Sequence, residues 1–248
     1  DLYMASMGRS GSTLIANWLT IPGKQVVLLE PEFPKGLRHR SLMRQCESLG
    51  FPVSEAEWSE QDACAAARIG RILGPRLSRL RWGVKEVQCA YHRGILKDYA
   101  PARVLVTVRN IRNVFLSFVD KHRRQGNEEQ YSVTWTRDYC QREAAGLVQF
   151  VTELAKNNIP HMVVRYEDFI FDAAVRKGIE TFTGWTGGGD LDRNFEFFNR
   201  VYERDMHRGA LSTQERDETQ RLVTDIELAK ADELAKQCSE YQTAFSYA

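Results

Sequence analysis

The sequence predicts an α/β protein with a central, mainly parallel β-sheet flanked by helices. Short apolar segments alternate with longer helical patterns over residues 1–185, as in chains built from βαβ units. The first segment runs into a loop rich in glycine and serine that opens a helix, and residues 103–108 are apolar almost throughout, as in a strand covered on both faces. We expect a single domain of residues 1–248, with an α/β core over 1–185 and a helical C-terminal extension over 190–248.

The expected elements follow in chain order from local apolar patterns. Strands are predicted at residues 2–7, 26–29, 103–108 and 161–165. Helices with an apolar face are predicted at residues 13–19, 113–123 and 143–156. The capping-box pattern Ser212-Thr213-Gln214-Glu215 predicts the start of a long C-terminal helix, with an apolar stripe at Leu222, Val223 and Ile226.

The composition argues against several classes of protein. The chain has 248 residues, with 34 Lys and Arg against 33 Asp and Glu, so we expect neither a nucleic-acid partner nor a membrane surface. No apolar segment approaches the roughly 20 residues of a membrane span, and no signal peptide is visible. The five cysteines and five histidines are dispersed, which argues against disulfides and a metal site and predicts a cytoplasmic protein with reduced thiols.

The loop after the first strand has the residues of an oxyanion-binding site. It reads Gly8-Arg9-Ser10-Gly11-Ser12-Thr13. Backbone amides at a helix N-terminus bind phosphate, glycines permit close approach, and a cation and hydroxyl groups add donors. The alternative is a plain strand-to-helix turn in which Ser12 or Thr13 caps the helix. A nucleoside-triphosphate loop carries lysine directly after its second glycine, whereas the cation here is Arg9, so an ATP-dependent kinase is disfavoured.

This loop, continued by Leu14, resembles the 5′-phosphosulfate loop of the sulfotransferases that use 3′-phosphoadenosine 5′-phosphosulfate (PAPS). The 3′-phosphate site of that family is a strand ending in arginine, followed eight residues later by serine, and Arg109 and Ser117 have this spacing. Asn110 and Ile111 depart from the Asp-Pro that usually follows the arginine. Independently of the family, Arg109 would lie at the carboxyl end of a parallel strand, where open α/β sheets bind ligands. The alternative for Arg109 is a structural salt bridge.

Two further segments resemble the same family in order and spacing. Residues 163–169 are similar to its V-R-Y-E-D-L segment, in which Tyr166 would support the nucleotide site. Trp82-Gly83-Val84-Lys85-Glu86 resembles the strand that places a lysine near the transferred group. The resemblance covers residues 1–185 and implies the sulfotransferase fold, PAPS as co-substrate, 3′-phosphoadenosine 5′-phosphate (PAP) as product, and no metal. It also implies that the nucleotide is bound by residues 8–13, Arg109, Ser117 and Tyr166.

The resemblance further implies catalytic roles for three side chains, in an in-line transfer of a sulfuryl group to a hydroxyl or amine. Arg9 would neutralise charge on the leaving oxygen, and Lys85 would lie near the sulfonate. Cytosolic small-molecule members place a histidine base where this chain has Val87. Other members use a glutamate just after the second strand, a place taken here by Glu30, with Glu86 as the second candidate base. The alternative for Glu30 is a solvated turn residue.

Three functions stay open at this point. The first is a PAPS-dependent sulfotransferase, the second is a P-loop kinase that uses ATP, and the third is a nucleotide-binding module without catalysis, which the departure at Asn110 and Ile111 keeps open. A carbohydrate, a lipid, a peptide or a small phenol would each be an acceptor of the right chemistry, because acceptor loops vary on such scaffolds. The segment at residues 33–74 is expected to cover the acceptor; it contains Arg38, Arg40, Arg44 and Trp58.

Overall fold

A computed structural model describes residues 2–31, 39–58, 65–188 and 221–247 of the chain. The strands in these ranges form one parallel sheet in the order β2-β3-β1-β4-β5. They are β1 (Leu2–Ser6), β2 (Gln25–Leu29), β3 (Arg81–Glu86), β4 (Arg103–Val108) and β5 (His161–Arg165). The helices are α1 (Ser12–Leu19), α2 (His39–Ser48), α3 (Ala65–Leu77), α4 (Cys89–Tyr99), α5 (Ile111–Gln125), α6 (Val133–Lys156), α7 (Tyr166–Phe171), α8 (Ala173–Thr183), α9 (Asp225–Gln237) and α10 (Ser239–Ala244), with a 3₁₀ helix at Glu55–Trp58.

The α/β class, the parallel sheet and the predicted strands are confirmed, whereas all three predicted helices begin earlier, α1 by a single residue and α5 and α6 by more. Helix α5 is capped by Asn110, whose side chain accepts from the backbone N–H of Arg112 at 3.0 Å. Helix α6 is capped by Ser132, whose hydroxyl accepts from the backbone N–H of Trp135 at 3.2 Å. The first turns of α6 are largely exposed, so they carry no apolar stripe from which the true start could be recognised.

Side chains along β1 alternate between two apolar layers. Leu2 and Met4 belong to the layer that contains α1, α7 and α8, whereas Tyr3 and Ala5 belong to the layer that contains α4, α5, α6, α9 and α10. All four side chains are fully buried. Burial of a large apolar side chain stabilises the fold by about 1.5–3 kcal/mol, so both layers hold the strands, and with them the ends of the strands, in place.

The C-terminal helices are part of this core. Helix α9 begins at Asp225, behind a capping box in which the Thr224 hydroxyl accepts from the N–H of Glu227 and the Glu227 carboxylate accepts from the N–H of Thr224. The capping box predicted at residues 212–215 lies outside the described residues. The predicted apolar stripe is wrong, because Leu222 precedes the helix and Leu222 and Ile226 are 46% and 69% exposed. The buried side of α9 and α10 consists of Ala231, Leu234, Cys238 and Tyr241.

The segment between β2 and β3 is only partly described. Residues 33–38 and 59–64 lie outside the described residues, so the expectation that residues 33–74 cover the acceptor stays a prediction. In the described part, the side chain of Gln45 in α2 is buried and bonds both backbone groups of Leu29, the last residue of the edge strand β2. Among the described helices, none has both the length and the apolar character needed to cross a membrane.

Candidate active site

The predicted site residues follow the ends of parallel strands. The loop at residues 8–13 follows β1, Glu30 follows β2, Lys85 lies near the end of β3, Arg109 follows β4, and Tyr166 follows β5. Because all five strands run in the same direction, these residues meet at the carboxyl edge of the sheet. Residues that are far apart in the sequence are therefore neighbours in one site.

The loop at residues 8–13 has two residues in the left-handed backbone region, Arg9 with φ 66° and Gly11 with φ 81°. Gly11 is the N-cap of α1 and has no side chain with which to cap the helix, so the predicted alternative of a Ser12 or Thr13 cap is wrong. A helix N-terminus without a side-chain cap has N–H groups and a partial positive charge to offer to an anion. The local geometry therefore favours anion binding over a plain capped turn.

Ser10 has a different role from the other loop hydroxyls. Its side chain is fully buried, donates to the backbone oxygen of Met7 at 2.8 Å and lies 3.3 Å from the Thr107 hydroxyl. Ser10 thus ties the loop to β4, and what it can offer an anion is its backbone amide. Thr13 is half-buried, and its hydroxyl accepts a hydrogen bond from the Lys85 ammonium at 3.0 Å.

The structure brings the two predicted phosphate sites into contact. Arg9 Nε donates to the Ser117 hydroxyl at 3.0 Å, and Arg109 Nη1 donates to the backbone oxygen of Arg9 at 3.3 Å. This contact is possible because only Arg109 and Asn110 separate β4 from α5. Two guanidinium groups and a hydroxyl therefore lie beside the start of α1, and such a set of donors is suited to bind two neighbouring anionic groups.

Tyr166 covers the loop and supports Arg109. The guanidinium of Arg109 lies 4.5 Å from the centre of the Tyr166 ring, in a cation–π contact. The same ring lies against Gly11, where a methyl group would come within 2.0 Å of Tyr166 Cδ2. Gly11 is therefore required twice, for its left-handed backbone and for the close approach of this ring.

Lys85 and Glu30 form an ion pair on the opposite side of the loop. Lys85 Nζ lies 2.6 Å from Glu30 Oε1, and the side chain of Lys85 is fully buried whereas that of Glu30 is 23% exposed. Glu30 has φ 48° and donates its backbone N–H to the Lys85 carbonyl at 2.7 Å. The bond to the Lys85 ammonium fixes the position of this carboxylate. Glu30 is thus a fixed, partly exposed carboxylate and not a solvated turn residue.

Glu86 is less suited to be the base. Successive residues of a strand point to opposite faces, so Glu86 lies on the other face of β3 from Lys85, and its side chain is almost completely buried. Glu86 lies on the same face of β3 as Val84, which belongs to the core layer of Tyr3. Of the two predicted candidates, the geometry favours Glu30.

Tyr139 is a site residue that the sequence did not indicate. Its hydroxyl accepts from the backbone N–H of Gly8 at 2.9 Å and donates to the backbone oxygen of Val87 at 3.2 Å. Burial raises the pKa of Tyr139, which keeps the hydroxyl protonated. Its position in α6 is 131 residues from Gly8, and no local pattern links the two. Tyr139 fixes the start of the loop to the end of β3.

His92, which is buried in the core, is not a candidate base. Tyr3 O–H donates to His92 Nδ1 at 2.5 Å, and His92 Nε2 donates to the backbone oxygen of Ser6 at 3.1 Å. Burial lowers the pKa of His92 to about 3, so the ring is neutral and holds β1 to α4. Within the part of the chain that the structure describes, no group of three or more His, Cys, Asp or Glu is placed to hold a metal ion.

Comparison with known proteins identifies the fold. No protein-family model and no curated protein sequence matches this chain. The sulfotransferase domain from the Synechococcus PCC 7002 olefin synthase is 16% identical, with a TM-score of 0.62 over 96% of this chain and 94% of that domain. The sulfotransferase domain from the curacin biosynthetic pathway is also 16% identical, with a TM-score of 0.54 over 96% of each chain. This chain therefore has the fold of a sulfotransferase domain.

Proposed function

We propose that this protein is an enzyme that transfers a sulfuryl group from PAPS to a hydroxyl or amine acceptor and releases PAP. The observation that carries the proposal is the contact of Arg9, Ser117 and Arg109 beside the start of α1. PAPS has two separate anionic groups, the 5′-phosphosulfate and the 3′-phosphate. A sulfotransferase fold with two adjoining sets of cationic and hydroxyl donors at its ligand-binding edge fits this pair of groups.

The donors of the described residues fit PAPS in chemistry. Amides of residues 9–13, with the Arg9 guanidinium and the hydroxyls of Ser12 and Thr13, would hold the 5′-phosphosulfate, whereas the amide of Gly8 already donates to Tyr139. Arg109 and Ser117 would hold the 3′-phosphate, with Tyr166 supporting the Arg109 guanidinium. When bound, PAPS supplies an activated sulfuryl group.

The residues of this chain would promote the transfer by positioning and by electrostatics. The Glu30 carboxylate would accept the proton of the acceptor, and Lys85 would hold that carboxylate in place while lying near the transferred group. Arg9 would stabilise the negative charge that grows on the leaving phosphate. No metal is needed in this scheme, because guanidinium and ammonium groups supply the positive charge.

The ATP-dependent kinase is the second candidate, and no specific observation favours it. The loop has serine where a nucleoside-triphosphate loop has lysine, and the nearby ammonium of Lys85 comes from β3. A thermal-shift comparison separates the two proposals. PAP should raise the melting temperature more than ATP with Mg²⁺ at equal concentration, and the reverse order would favour the kinase.

Sulfate transfer from labelled PAPS tests the reaction itself. The acceptor panel should contain a carbohydrate, a lipid, a peptide and a small phenol, because the described residues do not distinguish among them. Transfer to any of these acceptors that depends on Glu30 supports the enzyme, whereas PAP binding without transfer favours the nucleotide-binding module.

We further propose that the protein is cytoplasmic and has no nucleic-acid partner. The cysteines at positions 46, 89, 140 and 238 are free thiols, as expected in a reducing compartment.

A further inference from the structure

Helix α10 contacts the backbone of the residue that is assigned to the 3′-phosphate. The hydroxyl of Tyr241 donates to the carbonyl of Arg109 at 2.9 Å and accepts from the N–H of Arg109 at 3.3 Å. Tyr241 is 1% exposed, and burial raises its pKa, so the hydroxyl stays protonated and can make both bonds. One side chain, 132 residues away in the sequence, thus satisfies both backbone polar groups of Arg109.

The next residue is held by the same C-terminal segment through one intermediate side chain. Asn110 donates its backbone N–H to Glu167 Oε1 at 3.1 Å, and Tyr247 O–H donates to Glu167 Oε2 at 2.7 Å. The ring of Tyr247 lies parallel to that of Tyr241, with centroids 6.3 Å apart. Both residues of the turn between β4 and α5 are therefore fixed from outside the turn.

The local sequence explains why such support is needed. Ile111, at the start of α5, does not restrict its own φ as a proline at this position would. Within the turn, the described stabilising contact is the cap that Asn110 forms with the N–H of Arg112. The direction of the Arg109 side chain depends on this backbone, and the guanidinium must reach both the Tyr166 ring and the carbonyl of Arg9.

We infer that Tyr241 is a positioning residue for 3′-phosphate recognition, and that Tyr247 assists it through Glu167. The inference rests on the proposed function, because the 3′-phosphate is a group of PAPS. Tyr241 does not contact the nucleotide in this assignment; it orients Arg109, which does. The C-terminal helices thereby contribute to the specificity of the site, in addition to covering the core.

A merely structural role predicts a different outcome from a positioning role. Tyr241 also packs edge-to-face on Phe245, with ring centroids 4.8 Å apart, so loss of stability alone would not support the inference. The discriminating quantity is the ratio of the affinities for PAP and 5′-AMP, since these ligands differ only in the 3′-phosphate. A variant with a less stable fold but a correctly oriented Arg109 side chain would leave this ratio of affinities unchanged.

The experiment is titration calorimetry of the full chain and its Tyr241→Phe variant with PAP and with 5′-AMP. Removal of the hydroxyl should weaken PAP binding about three- to tenfold and change 5′-AMP binding less than about twofold. The matched control is Tyr3→Phe, which removes an equally buried hydroxyl, bonded to His92, and should keep the wild-type ratio. In an Arg109→Ala background, Tyr241→Phe should have no further effect on PAP affinity.

The outcomes separate this inference from the proposed function. A wild-type protein that binds PAP and 5′-AMP equally would overturn the assignment of the 3′-phosphate site. A wild-type protein that prefers PAP, with Tyr241→Phe retaining the full preference, would overturn the inference alone. If Tyr241→Phe does not fold, the same titrations with Tyr247→Phe decide the question: a reduced preference for PAP supports the inference, and an unchanged one contradicts it.

Discussion

Lys85 carries a buried ammonium group whose bonds to Glu30 and Thr13 join the candidate base to the loop at residues 8–13. An unpaired charge in the interior costs several kcal/mol, so Lys85 needs this carboxylate as a partner. The same contact holds Glu30 at the carboxyl edge of the sheet with part of its side chain open to solvent. The pairing therefore serves the stability of the fold and, in the proposed reaction, the position of the base.

Substitution of Glu30 tests its role as the base. Glu30→Gln keeps the shape of the side chain and an oxygen for Lys85, but the amide cannot accept the proton of the acceptor. We expect kcat to fall about 10²–10⁴-fold while the affinity for PAP stays within about twofold. Steady-state sulfate transfer and PAP titration measure the two quantities.

The matched control is Glu153→Gln, which changes another ion-paired glutamate. Glu153 forms an ion pair with Arg93. Glu153 lies in the last turn of α6, which leads into the amino end of β5, whereas the site lies at the carboxyl ends of the strands. This variant should keep the wild-type kcat. Near-normal turnover by Glu30→Gln would contradict the assignment and leave the ionisation of the acceptor itself as the source of the nucleophile.

At the scale of elements, the loop at residues 8–13 is shaped by contacts from three helices and a neighbouring strand. Tyr139 of α6 fixes Gly8, Ser117 of α5 accepts from Arg9, Tyr166 of α7 covers Gly11, and Thr107 of β4 lies against Ser10. The protein's own contacts thus hold the loop in place, and a rigid set of donors stabilises developing charge at little reorganisation cost.

Gly11→Ala tests the contact with Tyr166. The added methyl group meets the ring and also forces alanine into the left-handed region, whereas Gly50→Ala imposes the same backbone strain, at φ 82°, with no heavy atom within 4 Å. We expect Gly50→Ala to cost about 1–2 kcal/mol of unfolding free energy. Gly11→Ala should lower the unfolding free energy by more than this, as measured by urea unfolding. It should also weaken PAP binding, as measured by titration. Equal losses of stability with unchanged PAP affinity would contradict the contact.

What the sequence could predict depends on the range of the contacts. Strands β1, β2, β4 and β5, helix α1 and the loop at residues 8–13 were predictable, because apolar runs and glycine spacing are local signals. Strand β3 was indicated only by the family resemblance of residues 82–86. The roles of Gln45, Tyr139 and Tyr241 were not predictable. Each side chain bonds to backbone groups of another element, and every residue type has these backbone groups, so the sequence of the partner element carries no signal of the contact. The start of α9 at Asp225, behind the Thr224 cap, was missed because an earlier stretch, residues 212–215, also fits a capping box.

At the scale of the whole molecule, the parallel sheet brings the candidate site residues to one edge. Its order, β2-β3-β1-β4-β5, puts the loop after β1 in the middle, with Glu30 and Lys85 to one side and Arg109 and Tyr166 to the other. The two sides match the two halves of the proposed reaction, the acceptor with its base and the nucleotide with its 3′-phosphate. The C-terminal helices reach the Arg109 side of the site through the bond from the Tyr241 hydroxyl to the carbonyl of Arg109.

The buried His92 makes the stability of the whole fold depend on pH. Burial lowers its pKa to about 3 in the folded protein, against about 6.5 in the unfolded chain. Between these values the unfolded chain binds the additional proton, so the unfolding free energy falls as the pH is lowered from about 6.5 towards 3. In urea unfolding, the free energy of unfolding should fall less between pH 7.5 and pH 5 for His92→Gln than for the wild type. Equal losses in the two proteins would contradict this role of His92.

The central claim, that the site is built for PAPS, is tested most directly by titration calorimetry of the wild type and Arg109→Ala with PAP and 5′-AMP. A charge-assisted hydrogen bond contributes about 1.5–3 kcal/mol, so the wild type should prefer PAP by about ten- to a few-hundred-fold. Arg109→Ala should lose most of that preference and bind 5′-AMP almost as the wild type does. Equal affinities of the wild type for the two nucleotides would contradict the account.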